Sequence, residues 1–163
     1  MPDIDLLDSS YYRPLFQLLH TMDQDIERLY TSRGKTIRSR FVGPLITLSR
    51  RGPLTVKELA SAQEVSHSGM SQTVASMAKA GLVRSEPGED ARSRIVTLTE
   101  EANDLIPLLR AEWRSTESVV RALDEEIAHP IMQAVDAIKA ALAKQPFAER
   151  LEEALDKHLR EDS

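Results

Sequence analysis

The sequence contains no cysteine and few aromatic residues. Its 163 residues include one Trp, three Tyr and three Phe. The lack of cysteine excludes disulfides, thiolate nucleophiles, cysteine redox switches and zinc fingers. No apolar run approaches the roughly 18 residues of a membrane span, and the acidic N-terminus lacks the basic and apolar stretches of a signal peptide. We therefore expect a soluble, cytoplasmic protein with no membrane segment.

The hydrophobic content is sufficient for a core, because 41% of the residues are hydrophobic. Charge is distributed unevenly along the chain. Residues 33–94 hold 11 Lys/Arg against 5 Asp/Glu, whereas the rest of the chain holds 10 against 21. The net charge of −5 argues by itself against nucleic acid. A basic middle between acidic ends is either chance clustering or an electrostatic footprint for a polyanion.

Hydrophobic spacing predicts a mainly α (α+β) fold. Apolar residues recur at three- and four-residue steps, as on the buried face of a helix, and Pro44 is expected to kink or shorten the second helix. Two β-rich runs, 83–86 and 94–98, flank a Pro/Gly/Asp segment and predict a hairpin. The predicted helices span about residues 10–31, 37–50, 56–63, 67–80, 100–122, 125–143 (interrupted near Pro130) and 147–160.

Capping signals place the ends of the central helices. Thr55 and Glu58 match a capping box, in which each side chain bonds the other residue's backbone amide. Ser66 is a plausible N-cap for the next helix, and Gly81 closes that helix. Ser9 or Ser10 and Thr99 are plausible N-caps of the first and the long fifth helix.

The helix after Ser66 begins with an unusual density of short polar residues. Serine, threonine and glycine weaken an ordinary surface helix. In a helix–turn–helix, however, the second helix enters the DNA major groove and its N-terminal residues meet base edges. The alternative is a capped helix start followed by a solvent-exposed surface that binds nothing. The hairpin that follows favours the DNA-binding interpretation.

Enzyme motifs are weak. Residues 34–36, Gly-Lys-Thr, resemble the end of a P-loop, but Leu29 occupies the position that requires glycine. Ser76 and Lys79 fit S-x-x-K, yet they lie inside the predicted recognition helix and lack the companion motifs. The histidines lack metal-ligand spacing. We expect neither an enzyme nor a cofactor nor a metal site.

Two motifs carry a family resemblance. The stretch VSHSGMSQTVASMAKAGLV, residues 65–83, and the stretch EDARSRIVTLTEEA, residues 89–102, resemble the recognition helix and wing of the MarR family of winged helix–turn–helix transcriptional regulators. The resemblance covers about residues 10–143. It implies an N-terminal dimerisation helix in 1–34, a winged helix DNA-binding lobe in 35–99 and C-terminal dimerisation helices in 100–163.

The resemblance also implies roles for individual residues. The groove-facing residues would come from the start of the recognition helix, Arg92 would reach the minor groove with Asp90 orienting it, and two further arginines would lie near phosphates. The complete set of implied DNA contacts is Ser66, His67, Ser68, Ser71, Gln72, Arg84, Asp90, Arg92 and Arg94. Many relatives have arginine where Gln72 stands, so the base preference cannot be transferred. Glutamine could instead bond an adenine edge.

The family often binds a small phenolic or anionic ligand between its dimerisation helices and its DNA-binding lobe. The candidate pocket residues here are Tyr12, Phe16, His20, Phe41 and Trp113, although the apolar stripe around Trp113 favours a core position. The tail after Gln145 is either a brace for the dimer or a helix for a separate partner.

The resemblance therefore predicts a homodimeric, sequence-specific DNA-binding transcriptional regulator. It would be a repressor that acts on a palindromic operator and responds to a small ligand. The alternative is a non-enzymatic adaptor that is built on a winged helix without DNA affinity and binds a protein through its acidic helices.

Overall fold

The computed structural model describes residues 10–88 and 94–161. This part of the chain is mainly helical, as predicted, and contains one small sheet. Its elements are α1 (Arg13–Thr31), α2 (Ser39–Arg51), β1 (Leu54–Thr55), α3 (Val56–Ala62), α4 (His67–Lys79), β2 (Val83–Pro87), β3 (Arg94–Leu98), α5 (Glu100–Glu126), α6 (Ile131–Lys144) and α7 (Phe147–Glu161). The chain divides into two compact units, residues 1–113 and 114–163.

The first two helices differ from the sequence prediction at one end and in the interior. Tyr12 occupies the N-cap position of α1 and no side chain caps this helix; Ser10 contributes its carbonyl, which accepts from the amide of Arg13 at 3.0 Å. Pro44 lies inside α2 without shortening it. Proline removes one helical hydrogen bond, here the one that the carbonyl of Arg40 would otherwise accept.

The capping predictions for the central helices are confirmed. The Thr55 hydroxyl accepts from the amide of Glu58 at 3.2 Å, and the Glu58 carboxylate accepts from the amide of Thr55 at 2.8 Å. Ser66 Oγ accepts from the amide of Gly69 at 3.1 Å and caps α4. Gly81 follows α4 with a φ of 75°, which a glycine adopts without steric penalty.

The three strands form an antiparallel sheet in the order β1-β3-β2. The predicted hairpin is confirmed, with Val83 opposite Leu98 and Pro87 opposite Arg94. The two-residue strand β1 was not predicted. It pairs Leu54 with Val96 and so connects the helix–turn–helix to the hairpin.

The core of the first unit lies between α2, α3, α4, the sheet and the first half of α5. Leu45, Leu59, Met77 and Leu109 are completely or almost completely inaccessible to solvent. A buried polar contact lies at its margin, where the Tyr30 hydroxyl donates to Glu112 Oε2 at 2.7 Å. Burial is the main cause that raises the pKa of the Tyr30 hydroxyl. The hydrogen bond to Glu112 and the negative charge of that residue raise it further. Tyr30 therefore stays protonated and joins α1 to α5.

The second unit has a different character, because its large apolar side chains are exposed. The helix break that was predicted near Pro130 is confirmed, and Asp124 Oδ1 accepts from the first amide of α6, that of Ile131, at 2.6 Å. Arg150 donates to the carbonyl of Gln145 at 2.9 Å and fixes the corner between α6 and α7. The exposed apolar residues include Val119, Leu123, Ile131, Met132, Ile138, Phe147, Leu151, Leu155 and Leu159. No helix in the described ranges is long and apolar enough to cross a membrane.

Candidate nucleic-acid interface

The first two turns of α4 present polar side chains to solvent. His67, Ser68, Ser71 and Gln72 are exposed. Within the described residues these four side chains have no hydrogen-bond partner. Their donors and acceptors are therefore available to an external ligand, as direct readout of a base edge requires.

The other hydroxyl groups of this region bond to the backbone of their own helix. Besides the Ser66 cap, Thr73 Oγ1 donates to the carbonyl of Gly69 at 3.0 Å and Ser76 Oγ donates to the carbonyl of Gln72 at 2.9 Å. Such local bonds satisfy the hydroxyl within the helix. The polar residues of α4 thus divide into a structural set, Ser66, Thr73 and Ser76, and an outward set. Within the structural set, only the hydroxyl proton of Ser66 remains available to an external acceptor.

Gly69 lies next to the side chain that caps α4, a contact that the sequence alone did not indicate. A Cβ at this position would lie 3.1 Å from Ser66 Oγ, which is the atom that caps the helix. A side chain here would require the Ser66 hydroxyl to move by a few tenths of an ångström, whereas glycine leaves the cap undisturbed.

A groove of about 570 Å³ separates α4 from the hairpin. Ser71, Arg84, Glu86 and Arg94 line it together with Val56, Val74, Ala75, Ala78, Val83 and Ser85. The structure thus brings three of the predicted contact residues, Ser71, Arg84 and Arg94, to one groove. Arg94 is oriented by Ser85, since its Nε donates to Ser85 Oγ at 2.9 Å and its Nη2 donates to the Ser85 carbonyl.

The register separates the two arginines within the hairpin. Arg84 lies opposite Thr97 and Arg94 lies opposite Pro87. Because side chains alternate along a strand, Arg84 and Arg94 belong to opposite faces of the ladder although both line the groove. Asp90 and Arg92, the remaining predicted wing residues, lie outside the described residues.

The basic charge of residues 33–94 is not neutralised within the described part of the chain. Within the described residues, no ion pair involves a basic residue of this segment. The described basic residues of the segment are all exposed: Arg33, Lys35, Arg38, Arg40, Arg50, Arg51, Lys57, Lys79, Arg84 and Arg94. Their charge can therefore attract a polyanion.

Arg40 of α2 contacts the recognition helix, although its sequence context does not indicate this. Its Nη2 donates to Ser76 Oγ of α4 at 3.3 Å. An arginine in the first turn of a helix carries no signal of such a contact in the sequence, because the partner lies 36 positions further along the chain.

The five candidate ligand residues do not form one pocket. Phe16 and His20 line an open hollow of about 600 Å³ on α1, with Ser10, Arg13 and Gln17. Tyr12 is exposed and packs edge-on against Tyr11. Phe41 is only 3% exposed and belongs to the core, so it cannot line an accessible pocket. Among the described residues, no group of side chains is suited to holding a metal ion.

The core position that was favoured for Trp113 is also wrong, because its side chain is 47% exposed. The buried stripe of α5 runs through Leu105, Leu109 and Glu112. Glu112 takes the last inward position and bonds Tyr30, which leaves Trp113 at the edge of the stripe.

A helix–turn–helix followed by a two-stranded wing defines a winged helix protein. The MarR family model matches residues 45–93, a segment that contains α3 and α4. No curated protein matches the chain.

Solved structures share the fold at low sequence identity. The Mycobacterium tuberculosis regulator MosR in complex with DNA is 21% identical with a TM-score of 0.59, and the match covers 81% of this chain and 96% of that one. The Staphylococcus aureus MepR–DNA complex is 16% identical with a TM-score of 0.61, and the match covers 83% of this chain and 97% of that one. AbsC, a MarR family transcriptional regulator from Streptomyces coelicolor, is 23% identical with a TM-score of 0.54, and the match covers 87% of this chain and 92% of that one.

Proposed function

We propose that this chain is a homodimeric, sequence-specific DNA-binding transcriptional regulator that represses from a palindromic operator. The observation that carries the proposal is the start of α4, where His67, Ser68, Ser71 and Gln72 are exposed and unengaged. They lie on the helix that a winged helix inserts into the major groove. MosR and MepR, which share the fold, were solved in complex with DNA. This role places the protein with the chromosome, in the cytoplasm of a bacterium.

The unpaired basic residues supply the electrostatic part of binding. Lys and Arg that neutralise phosphates release counterions, so affinity falls steeply with salt. Arg84 and Arg94 flank the groove next to α4, where they can contact phosphates while α4 meets the bases. Arg92 is proposed to enter the minor groove from the wing, with Asp90 orienting it.

A second copy is required for a palindromic site. Two recognition helices about one helical turn apart, roughly 34 Å, enter successive major grooves. The exposed apolar residues of α6 and α7, such as Ile138 and Leu155, support dimerisation because patches of this kind are rarely left open to water. A small phenolic or anionic ligand would act by favouring one spacing of the two helices, and only through its differential affinity for the two states.

Fluorescence anisotropy with the DNA upstream of the protein's own gene tests the proposal. We expect tight binding that weakens steeply across a salt series, and much weaker binding to a scrambled duplex. Selection from random duplexes covers the case in which the operator lies elsewhere. Equal, weak binding to both duplexes together with a selection that yields no consensus would overturn the proposal and favour the protein-binding adaptor.

Gln72→Ala tests direct readout. Glutamine can bond adenine through its N6 and N7 edge, and a good bidentate pair contributes about 1–3 kcal/mol of discrimination. We expect the selected consensus to lose its preference at one position in each half-site while the salt dependence is unchanged. Arg84→Ala is the contrasting variant, for which we expect uniform weakening and a salt slope reduced by about 1. An identical consensus for Gln72→Ala would refute the assigned role.

A further inference from the structure

A chain of three groups connects α2 to the part of α4 that is proposed to read DNA. Arg40 Nη2 donates to Ser76 Oγ at 3.3 Å. The Ser76 hydroxyl uses its own hydrogen to bond the carbonyl of Gln72 at 2.9 Å. A serine hydroxyl can donate once and accept at the same time, so both bonds are compatible. This series of hydrogen bonds ends at the backbone carbonyl of Gln72, whose side chain is exposed and has no hydrogen-bond partner within the described residues.

The guanidinium of Arg40 is itself positioned. Its carbon lies 5.6 Å from the centroid of the Phe41 ring, and Phe41 is a core residue of α2 that is 3% exposed. A cation at this distance from an aromatic ring is attracted by it. Within the described residues Arg40 has no carboxylate partner. Its fixed contacts are therefore the core-anchored ring on one side and Ser76 on the other.

The tether holds a side of the recognition helix other than its apolar anchor. Met70, Val74 and Met77 fix the buried side of α4 in the core, and the Arg40–Ser76 bond holds a more exposed side. Apolar packing alone permits small rotations of a helix, whereas base readout requires placement within about 0.5 Å and 10–20°. A polar contact one turn beyond Gln72 restricts that rotation.

We propose that Arg40 is a positioning residue, which sets the base preference of Gln72 through Ser76 without touching a base. The inference rests on the proposed function, because it assigns a second residue to the same DNA-reading helix. It separates two kinds of arginine in the basic segment: Arg40 orients α4, whereas arginines such as Arg84 contribute charge.

Three single variants and one double variant test this role. Arg40→Ala removes the donor, and Ser76→Ala removes the acceptor without any change of charge. Lys57→Ala is the matched charge control, since Lys57 is exposed and has no hydrogen bond or ion pair within the described residues. Thermal unfolding establishes that each variant is folded. Competition between the selected site and its single-base variants at the Gln72 position gives the discrimination, and a salt series gives the slope.

We expect Arg40→Ala and Ser76→Ala each to reduce discrimination at that position by about fivefold, which corresponds to about 1 kcal/mol. The double variant should lose no more than either single variant, because both changes break one tether. Ser76→Ala should keep the wild-type salt slope. In a Gln72→Ala background neither change should affect base preference. Lys57→Ala should change affinity for all sequences equally.

Two results would overturn the inference. One is unchanged discrimination in Ser76→Ala. The other is uniform weakening in Arg40→Ala with a reduced salt slope, as in Lys57→Ala, which would make Arg40 a phosphate contact. Both results presuppose that the wild-type chain selects a consensus. A wild-type chain without sequence preference would instead refute the proposed function, and this inference would fall with it.

Discussion

Gly43, in the middle of α2, faces a side chain from the end of α3. A Cβ at Gly43 would lie 2.2 Å from Gln63 Oε1, and Gln63 Nε2 donates to Thr47 Oγ1 at 2.9 Å. Glycine in a helix interior is about 0.5–1 kcal/mol less favourable than alanine. The space that Gln63 needs explains the presence of glycine here. This single residue therefore determines how closely α2 and the end of α3 can approach.

Gly43→Ala should therefore have a background-dependent effect on stability. In the wild-type chain the new methyl group displaces Gln63 and breaks its bond to Thr47, which lowers the free energy of unfolding by about 1 kcal/mol. In a Gln63→Ala background the same change should be more favourable by about that amount, because only the helix propensity of alanine acts. Urea unfolding of the four proteins measures the difference. Strict additivity of the two substitutions would contradict the contact.

Glu64 is a second residue with an unusual local conformation. It lies in the turn between α3 and α4 and has a φ of 53°, the one positive value among the described non-glycine residues. Glu64→Gly should stabilise the protein by up to about 1 kcal/mol, because glycine adopts this region without the steric penalty of a Cβ. Glu64→Ala, which keeps the Cβ, should bring no such gain in the same urea titration.

At the scale of elements, the capping box makes the start of α3 sensitive to acid. The Thr55 amide, and then the Thr55 hydroxyl, hold the pKa of the Glu58 carboxyl below its usual range. A lowered folded-state pKa means that the stabilisation is fully present above the unfolded-state pKa. It is lost as the pH falls through the folded-state value.

Glu58→Ala should accordingly reduce the free energy of unfolding near pH 7 and have a smaller effect near pH 3. Glu58→Gln retains an acceptor for the Thr55 amide and should keep part of the stabilisation while removing its dependence on pH. Denaturant titrations at several pH values measure these differences. A penalty for Glu58→Ala that is the same at both pH values would show that the ionised carboxylate contributes nothing.

At the scale of the whole molecule, the exposed face of α7 predicts a dependence on protein concentration. Phe147, Leu151, Leu155 and Leu159 recur every four residues and are all more than half exposed. Full burial of such a side chain contributes roughly 1.5–3 kcal/mol. If α7 takes part in the proposed dimer, Leu151→Asp with Leu155→Asp should weaken dimerisation strongly.

Sedimentation velocity over a range of concentrations measures this effect. Glu152→Ala with Asp156→Ala is the matched control, because it changes neighbouring polar positions of the same helix and should leave dimerisation nearly unchanged. A dimer that persists unchanged after both leucines are replaced, or after truncation at Gln145, would show that α7 serves another partner.

The sequence predicted the elements that depend on local signals and missed those that depend on distant partners. The Thr55–Glu58 box, the Ser66 cap and the hairpin follow from residues close together in the chain. Strand β1 has only two residues and exists because Val96 pairs with Leu54. Arg40 likewise acquires its role from a partner 36 positions away.

The candidate site divides in the same way. Ser68 and Gln72 could be predicted to face outward because helix periodicity assigns them to the side away from Met70 and Val74. His67 stands seven residues before Val74, and its exposure follows from its place at the start of the helix.

The pocket residues could not be predicted, since the exposure of an aromatic side chain depends on where its helix leaves the core. Phe41 is buried and Trp113 is half-exposed, and helical spacing alone assigns both to apolar stripes.

The hydrogen bond between Tyr30 and Glu112 also affects the order in which the chain folds during its synthesis. Its two partners are 82 positions apart, so the ribosome must release most of the first unit before α1 can be fastened to α5. Contacts between distant residues form late because closing a long loop is entropically unfavourable. We expect the α1 segment of the nascent chain to stay unprotected until α5, whose first half also completes the core, has emerged. Pulse proteolysis of stalled chains that end before and after α5 would detect this order through protection of the α1 segment.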